Sequence, residues 1–179
     1  MDAGKVTSFI IGGFLLLSVM KLNTAVMSNS AQSTMDLTAK TNVETLSEII
    51  SFDLRKIGYN NTGISVYAAS SVRLSFVGDL DNDGTVDSVI WQADTSVSLP
   101  ATENPADFPV YRIVNGDTTS FFTSTTVFEL SYYDSKGSLA AGHSDIRGVQ
   151  VEMTCESPES VGAEYIQSSW EKRFYPRNI

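Results

Sequence analysis

Four carboxylates crowd into nine residues of this chain: Asp79-Leu80-Asp81-Asn82-Asp83-Gly84-Thr85-Val86-Asp87. Carboxylates stand at relative positions one, three, five and nine, with glycine at six. That spacing matches the first nine positions of a calcium loop. Calcium is a hard cation that takes six to eight oxygen ligands, and the glycine permits the sharp turn that gathers them. Asp79, Asp81, Asp83 and Asp87 are the candidate ligands, and Thr85 would offer its backbone carbonyl. The twelfth position is Ile90 rather than the usual bidentate Glu. Glu103, Asp107 or water would have to complete the shell. The alternative is a polar hairpin turn at Asn82-Asp83-Gly84, which leaves the mutual repulsion of four carboxylates unexplained. Any ion here is expected to be structural.

Little other chemistry is on offer. The lone His143 lies in a glycine-rich stretch, Gly137 to Gly148, and reads as a solvated loop residue. No Gly-x-Ser-x-Gly nucleophile turn and no glycine-rich phosphate loop occurs, so the chain is not expected to be an enzyme or to hold a small-molecule substrate. The single Cys155 falls among alternating apolar residues (Val149, Val151, Met153) and reads as a buried, inert thiol. A net charge of -9 over 179 residues argues against nucleic acid, which requires clustered Lys and Arg.

The elements that position these residues begin with an uncharged apolar run, Val6 to Met20. At ~1.5 Å per residue it spans roughly 22 Å, and Leu22, Ala25, Val26 and Met27 extend it past Lys21, whose side chain can snorkel. Phe9, Ile10, Gly12, Gly13, Phe14 and Leu16 are the residues placed to pack against another helix, the glycines permitting close approach. The run lacks a good signal-peptidase site, so a retained anchor is expected over residues 1–22. From Asn23 to Ile57 there is no Pro and no Gly, and Val43, Leu46, Ile49, Ile50, Leu54 and Ile57 repeat at helical spacing. Residues 23–58 therefore continue the helix as a stalk and a sheet-packing half. Its upstream part, rich in Ser, Asn and Gln, would be weak alone. Gly58 ends it.

From residue 59 to 179 the period becomes two. Strands are expected at Ile64–Ala68, Val72–Val77, Val86–Gln92, Val110–Val114, Val127–Tyr133, Ile146–Thr154 and Tyr165–Tyr175, with Leu99–Pro109 as a loop and turns at Asn115-Gly116 and Asp134–Gly137. The fold class is α+β: one long helix on an antiparallel sheet.

Several pieces in order carry a resemblance: Asp53-Leu54-Arg55-Lys56-Ile57-Gly58-Tyr59, Leu74-Ser75-Phe76 leading into the acidic loop, Tyr111-Arg112-Ile113-Val114-Asn115-Gly116, Phe128 to Asp134, and Arg173-Phe174-Tyr175-Pro176-Arg177-Asn178. Over roughly residues 45 to 179 the chain resembles minor pilins of type IV pili and the J-type minor pseudopilin of type II secretion. The resemblance implies a pilin-like fold whose first half-helix is membrane-embedded. It implies a non-catalytic subunit that starts or caps a pilus or pseudopilus, with other pilin-like chains and the membrane as partners. The expected location is the inner membrane, single-pass with an extracytoplasmic domain, or an extracellular filament. The chain departs from the family start: Gly4 is followed by Lys5-Val6-Thr7-Ser8-Phe9, and no acidic residue lies between Asp2 and Asp36. The alternative is a standalone signal-anchored, calcium-dependent binding module of the cell envelope.

Overall fold

The computed structural model describes residues 3–97 and 99–179. Helix α1 runs unbroken from Ala3 to Arg55, 53 residues, or ~80 Å at ~1.5 Å per residue. Its first buried residue is Ala39, so roughly 36 residues, ~54 Å, stand clear of the core. From there Ala39, Val43, Leu46, Ile50 and Leu54 form the buried stripe, at the three- and four-residue spacing that keeps one face inward. The Ser- and Asn-rich middle is helical too, continuous with both ends. Gly58 then takes φ +71°, and its amide donates to Val77 O at 2.8 Å, splicing the helix exit onto the sheet.

Seven strands follow: β1 (Val66–Ser70), β2 (Arg73–Gly78), β3 (Asp87–Ala93), β4 (Phe108–Val114), β5 (Asp117–Tyr133), β6 (Gly148–Glu156) and β7 (Gln167–Phe174). They form one antiparallel meander in chain order. The expected strands are present. The exception in extent is β5, whose first half, Asp117–Thr126, is not among the strands expected from the sequence. Its run of Thr and Ser shows no apolar alternation. The strand is long because it serves two partners: its first half pairs with β4 and its second with β6. Between them Ser124 sits at φ +64° and the register slips at Thr125/Val127, a bulge that bends the strand. The bend curls the sheet. Leu130 N reaches Ser71 O at 2.8 Å, and the Tyr132 hydroxyl lies 2.9 Å from Ser70 O, so the β1–β2 turn folds back against β5.

Helix α1 lies across β5, β6 and β7. The core between them holds Leu46, Ile50, Leu54 and Ile57 from the helix side. Leu74, Phe76, Val89, Trp91, Val110, Val149, Val151 and Met153 come from alternate strand positions.

Candidate functional site

The acidic loop joins β2 to β3 and is pressed against the end of α1. Gly78 makes that approach possible, since a Cβ there would lie 2.0 Å from Lys56 O. The next residue, Asp79, is 2% exposed, and its amide donates to Tyr59 O at 2.9 Å. Its Oδ2 accepts from Gly84 N at 3.1 Å and from Asn60 Nδ2 at 3.3 Å. Its Oδ1 is buried with no hydrogen-bond partner. Asp87, opening β3, accepts Leu80 N on Oδ2 at 3.0 Å and Asn115 Nδ2 on Oδ1 at 2.8 Å. Asn82 (φ +63°) and Gly84 (φ +90°) supply the left-handed backbone that folds the loop inward.

Asp79, Asp81 and Asp87 each bring an oxygen within 4.8 Å of the others. Two carboxylates at that distance repel by on the order of 3 kcal/mol at an effective dielectric of ~20, less where water screens Asp81. A buried orphan oxygen together with converging carboxylates is an oxygen donor set suited to a hard cation, and this partly buried cluster could hold a metal ion. Asp83 stands outside the group of three; its Oδ1 instead accepts Thr85 N at 2.6 Å. The Asn82-Asp83-Gly84 turn is also present, so turn and donor set are the same loop.

Two expected completions of the shell are corrected. Glu103 and Asp107 lie before β4, whose start faces the end of β3: Asp94 N bonds Pro109 O. Asp87 is at the opposite end of β3, about 20 Å away at ~3.3 Å per residue. Neither can reach the loop. Ile90, at the twelfth position, is a ladder residue paired with Ser75 and Ile113. The groups that sequence reasoning missed are Asn60 and Asn115. Both are turn asparagines with positive φ; the turn residue types were legible, the Asn115-Gly116 pair above all, but nothing local marks either side chain as a partner of these carboxylates. Lys56 Nζ donates to Asn82 Oδ1 and lies 4.2 Å from the Tyr59 ring centroid, tying the loop to the helix end.

At the other end of α1 every candidate packing residue faces outward. Phe9 is 85% exposed, and Ile10, Phe14 and Leu16 are also exposed. A Cβ added at Gly12 or Gly13 would meet nothing within 4 Å. Two hydroxyls in this stretch pair within the helix: Thr7 Oγ1 donates to Ala3 O at 3.0 Å and Ser18 Oγ to Phe14 O at 2.8 Å. Such internal pairing is what a hydrocarbon environment demands. Among the described residues α1 is long and apolar enough to cross a membrane, and its apolar stretch lies wholly unburied. That fits an anchor, a signal or a span.

A second polar centre was not foreseen. Asp53, fully buried on α1, accepts Trp91 Nε1 at 2.8 Å and Arg112 Nε at 2.7 Å on Oδ2, and Arg112 Nη2 at 2.9 Å on Oδ1. The carboxylate hydrogen bonds raise the Arg112 pKa, holding its charge. This fork pins the helix to β3 and β4. Two pieces of the sequence pattern, one ending α1 and one in β4, thus meet in one ion pair. His143 lies on an exposed 3-10 turn beside an open cleft of about 690 Å³ lined by Ile64, Tyr67 and Ile179. Cys155 is buried beside Thr125 Oγ1, and burial pushes its thiol up to about 11.

No family model, curated protein or solved structure matches the chain. The likeness to pilins is therefore one of architecture, a long apolar N-terminal helix packed on an antiparallel sheet.

Proposed function

We propose that this chain is a non-catalytic, pilin-like subunit. It joins other pilin-like chains through the first half of α1, in a type IV pilus or a secretion pseudopilus. One observation carries this reading. The helix that the sheet grips from Ala39 to Leu54 continues without a break into an apolar segment that nothing among the described residues covers. Helices in proteins draw most of their stability from packing, so an uncovered apolar segment calls for lipid or neighbouring helices. A subunit waiting in the inner membrane and then moving into a filament satisfies both, with the sheet domain extracytoplasmic. The absence of an acidic residue between Asp2 and Asp36 suits a subunit that starts or caps the assembly, because it has no early carboxylate to neutralise a neighbour's amine. In this reading the Asp79–Asp87 loop holds Ca²⁺ and stiffens the sheet domain where α1 enters it.

The test is Phe14→Lys combined with Leu16→Lys in the full chain. Both side chains are exposed, so the sheet domain should keep its circular dichroism and melting transition. Co-purification with other pilin-like chains and filament incorporation should be lost. Assembly that is unchanged in the double variant would refute the packing role and leave the standalone calcium-dependent binding module as the better account.

A further inference from the structure

The β4–β5 turn reaches the acidic loop through one side chain. Asn115 and Gly116 take φ +54° and +94°, the paired positive values of a tight hairpin turn. At Asn115 the main chain leaves the β3–β4 ladder, and its side chain carries the ladder on. The Asn115 amide donates to Ser88 O at 2.9 Å, and Asn115 Oδ1 accepts Ser88 N at 2.9 Å. That leaves Nδ2, which donates to Asp87 Oδ1 at 2.8 Å. The partners fix which way the amide points. Turned over, it would set its NH₂ against the Ser88 N–H and its oxygen against the Asp87 carboxylate.

The charges show what this bond is for. The donor set exists only while an oxygen of half-buried Asp87 stays within 4.8 Å of oxygens of Asp79 and Asp81. Like charges push Asp87 away from that position. Two hydrogen bonds oppose the push: Leu80 N on Oδ2 at 3.0 Å and Asn115 Nδ2 on Oδ1 at 2.8 Å. Leu80 belongs to the loop and moves with it. Asn115 lies 28 residues on, in a hairpin held by its own ladder, so it is the fixed point against which Asp87 is set. We propose, resting on the reading that this loop holds Ca²⁺, that Asn115 is the positioning residue of the site. It keeps Asp87 turned toward Asp79, whose buried Oδ1 has no hydrogen-bond partner, and it couples the ion to the β4–β5 hairpin. Hydrogen bonds that orient a metal's ligands are typically worth about 10–100-fold in affinity. The coupling is reciprocal: an ion that holds Asp87 also holds the turn.

The test is calorimetric titration of the full chain in detergent micelles with Tb³⁺, a hard trivalent stand-in for Ca²⁺ whose higher charge keeps weakened sites measurable. Asn115→Gly removes the side chain, while glycine keeps the positive φ of the turn. It should weaken binding about 10–100-fold. Asp87→Ala should also weaken it. The two together should bind no more weakly than Asp87→Ala alone, because Asn115 acts through Asp87. A second measurement uses the unaltered side chain at 115: Tb³⁺ should slow hydrogen exchange at the Asn115 amide, and Asp87→Ala should remove that slowing. Binding by Asn115→Gly as tight as the parent's, losses that add in the double variant, or a turn amide indifferent to the ion would each overturn the positioning role and leave the ion site standing. A titration with no bound ion, or with one that Asp79→Asn leaves unchanged, would overturn the Ca²⁺ reading of the loop and the positioning role with it. The filament role rests on α1 and is untouched by either result.

Discussion

Replacing Arg112 by Met should strongly destabilise the sheet domain. Asp53 is fully buried, and Arg112 supplies two of its three described hydrogen bonds, at 2.7 and 2.9 Å. Methionine keeps the length of the stem but leaves the carboxylate with the Trp91 indole as its remaining described donor. Removing one partner of a buried pair costs ~3–5 kcal/mol, because the other charge stays behind without compensation. The reverse change, Asp53→Asn, should cost less, ~1–3 kcal/mol: the amide oxygen still accepts from Trp91, and the Arg112 side chain is 15% exposed and can draw on water. The assay is equilibrium unfolding of the full chain in detergent, followed by tryptophan fluorescence. Arg112→Met should lower the melting temperature by roughly 10–20 °C. If Arg112→Met costs under ~1 kcal/mol, or less than Asp53→Asn, the ion pair does not anchor the helix and the reasoning fails.

Three further outcomes follow from the geometry. Gly78→Ala should destabilise the protein severely, by more than ~3 kcal/mol, because its Cβ would meet the Lys56 carbonyl at 2.0 Å; an alanine variant that melts within a few degrees of the parent would show that the helix end can move aside. Ca²⁺ at a hundredfold excess over Kd should add ~2.7 kcal/mol of stability, and Asp79→Asn should remove it; a melting temperature indifferent to both Ca²⁺ and the substitution would reduce the loop to a turn. The thiol of Cys155, held neutral until about pH 11, should react with a thiolate-specific reagent at pH 8 at least ~100-fold more slowly than a free cysteine, and at the ordinary rate once the protein is unfolded; fast labelling of the native state would show that β6 opens.

How far the sequence carried this fold follows from where its signals are local. The helix was legible because Val43, Leu46, Ile50 and Leu54 repeat at helical spacing and nothing from Asn23 to Ile57 breaks it. The strands were legible where apolar residues alternate, as in Leu74-Ser75-Phe76, since a strand buried on one face writes its period into the chain. Asp117–Thr126 was not, because that half of β5 is Thr- and Ser-rich and owes its strand form to β4. The acidic loop announced itself by residue type and spacing. Which of its carboxylates converge, and that Asp83 does not join them, depended on backbone turns and on Asn60, Asn115 and the helix end, which are remote in sequence. The Asp53–Arg112 pair spans 59 residues. Periodicity reports what one element hides or shows. Pairing across elements is set by strand register and by the bend at Ser124, so only the tertiary structure could decide it.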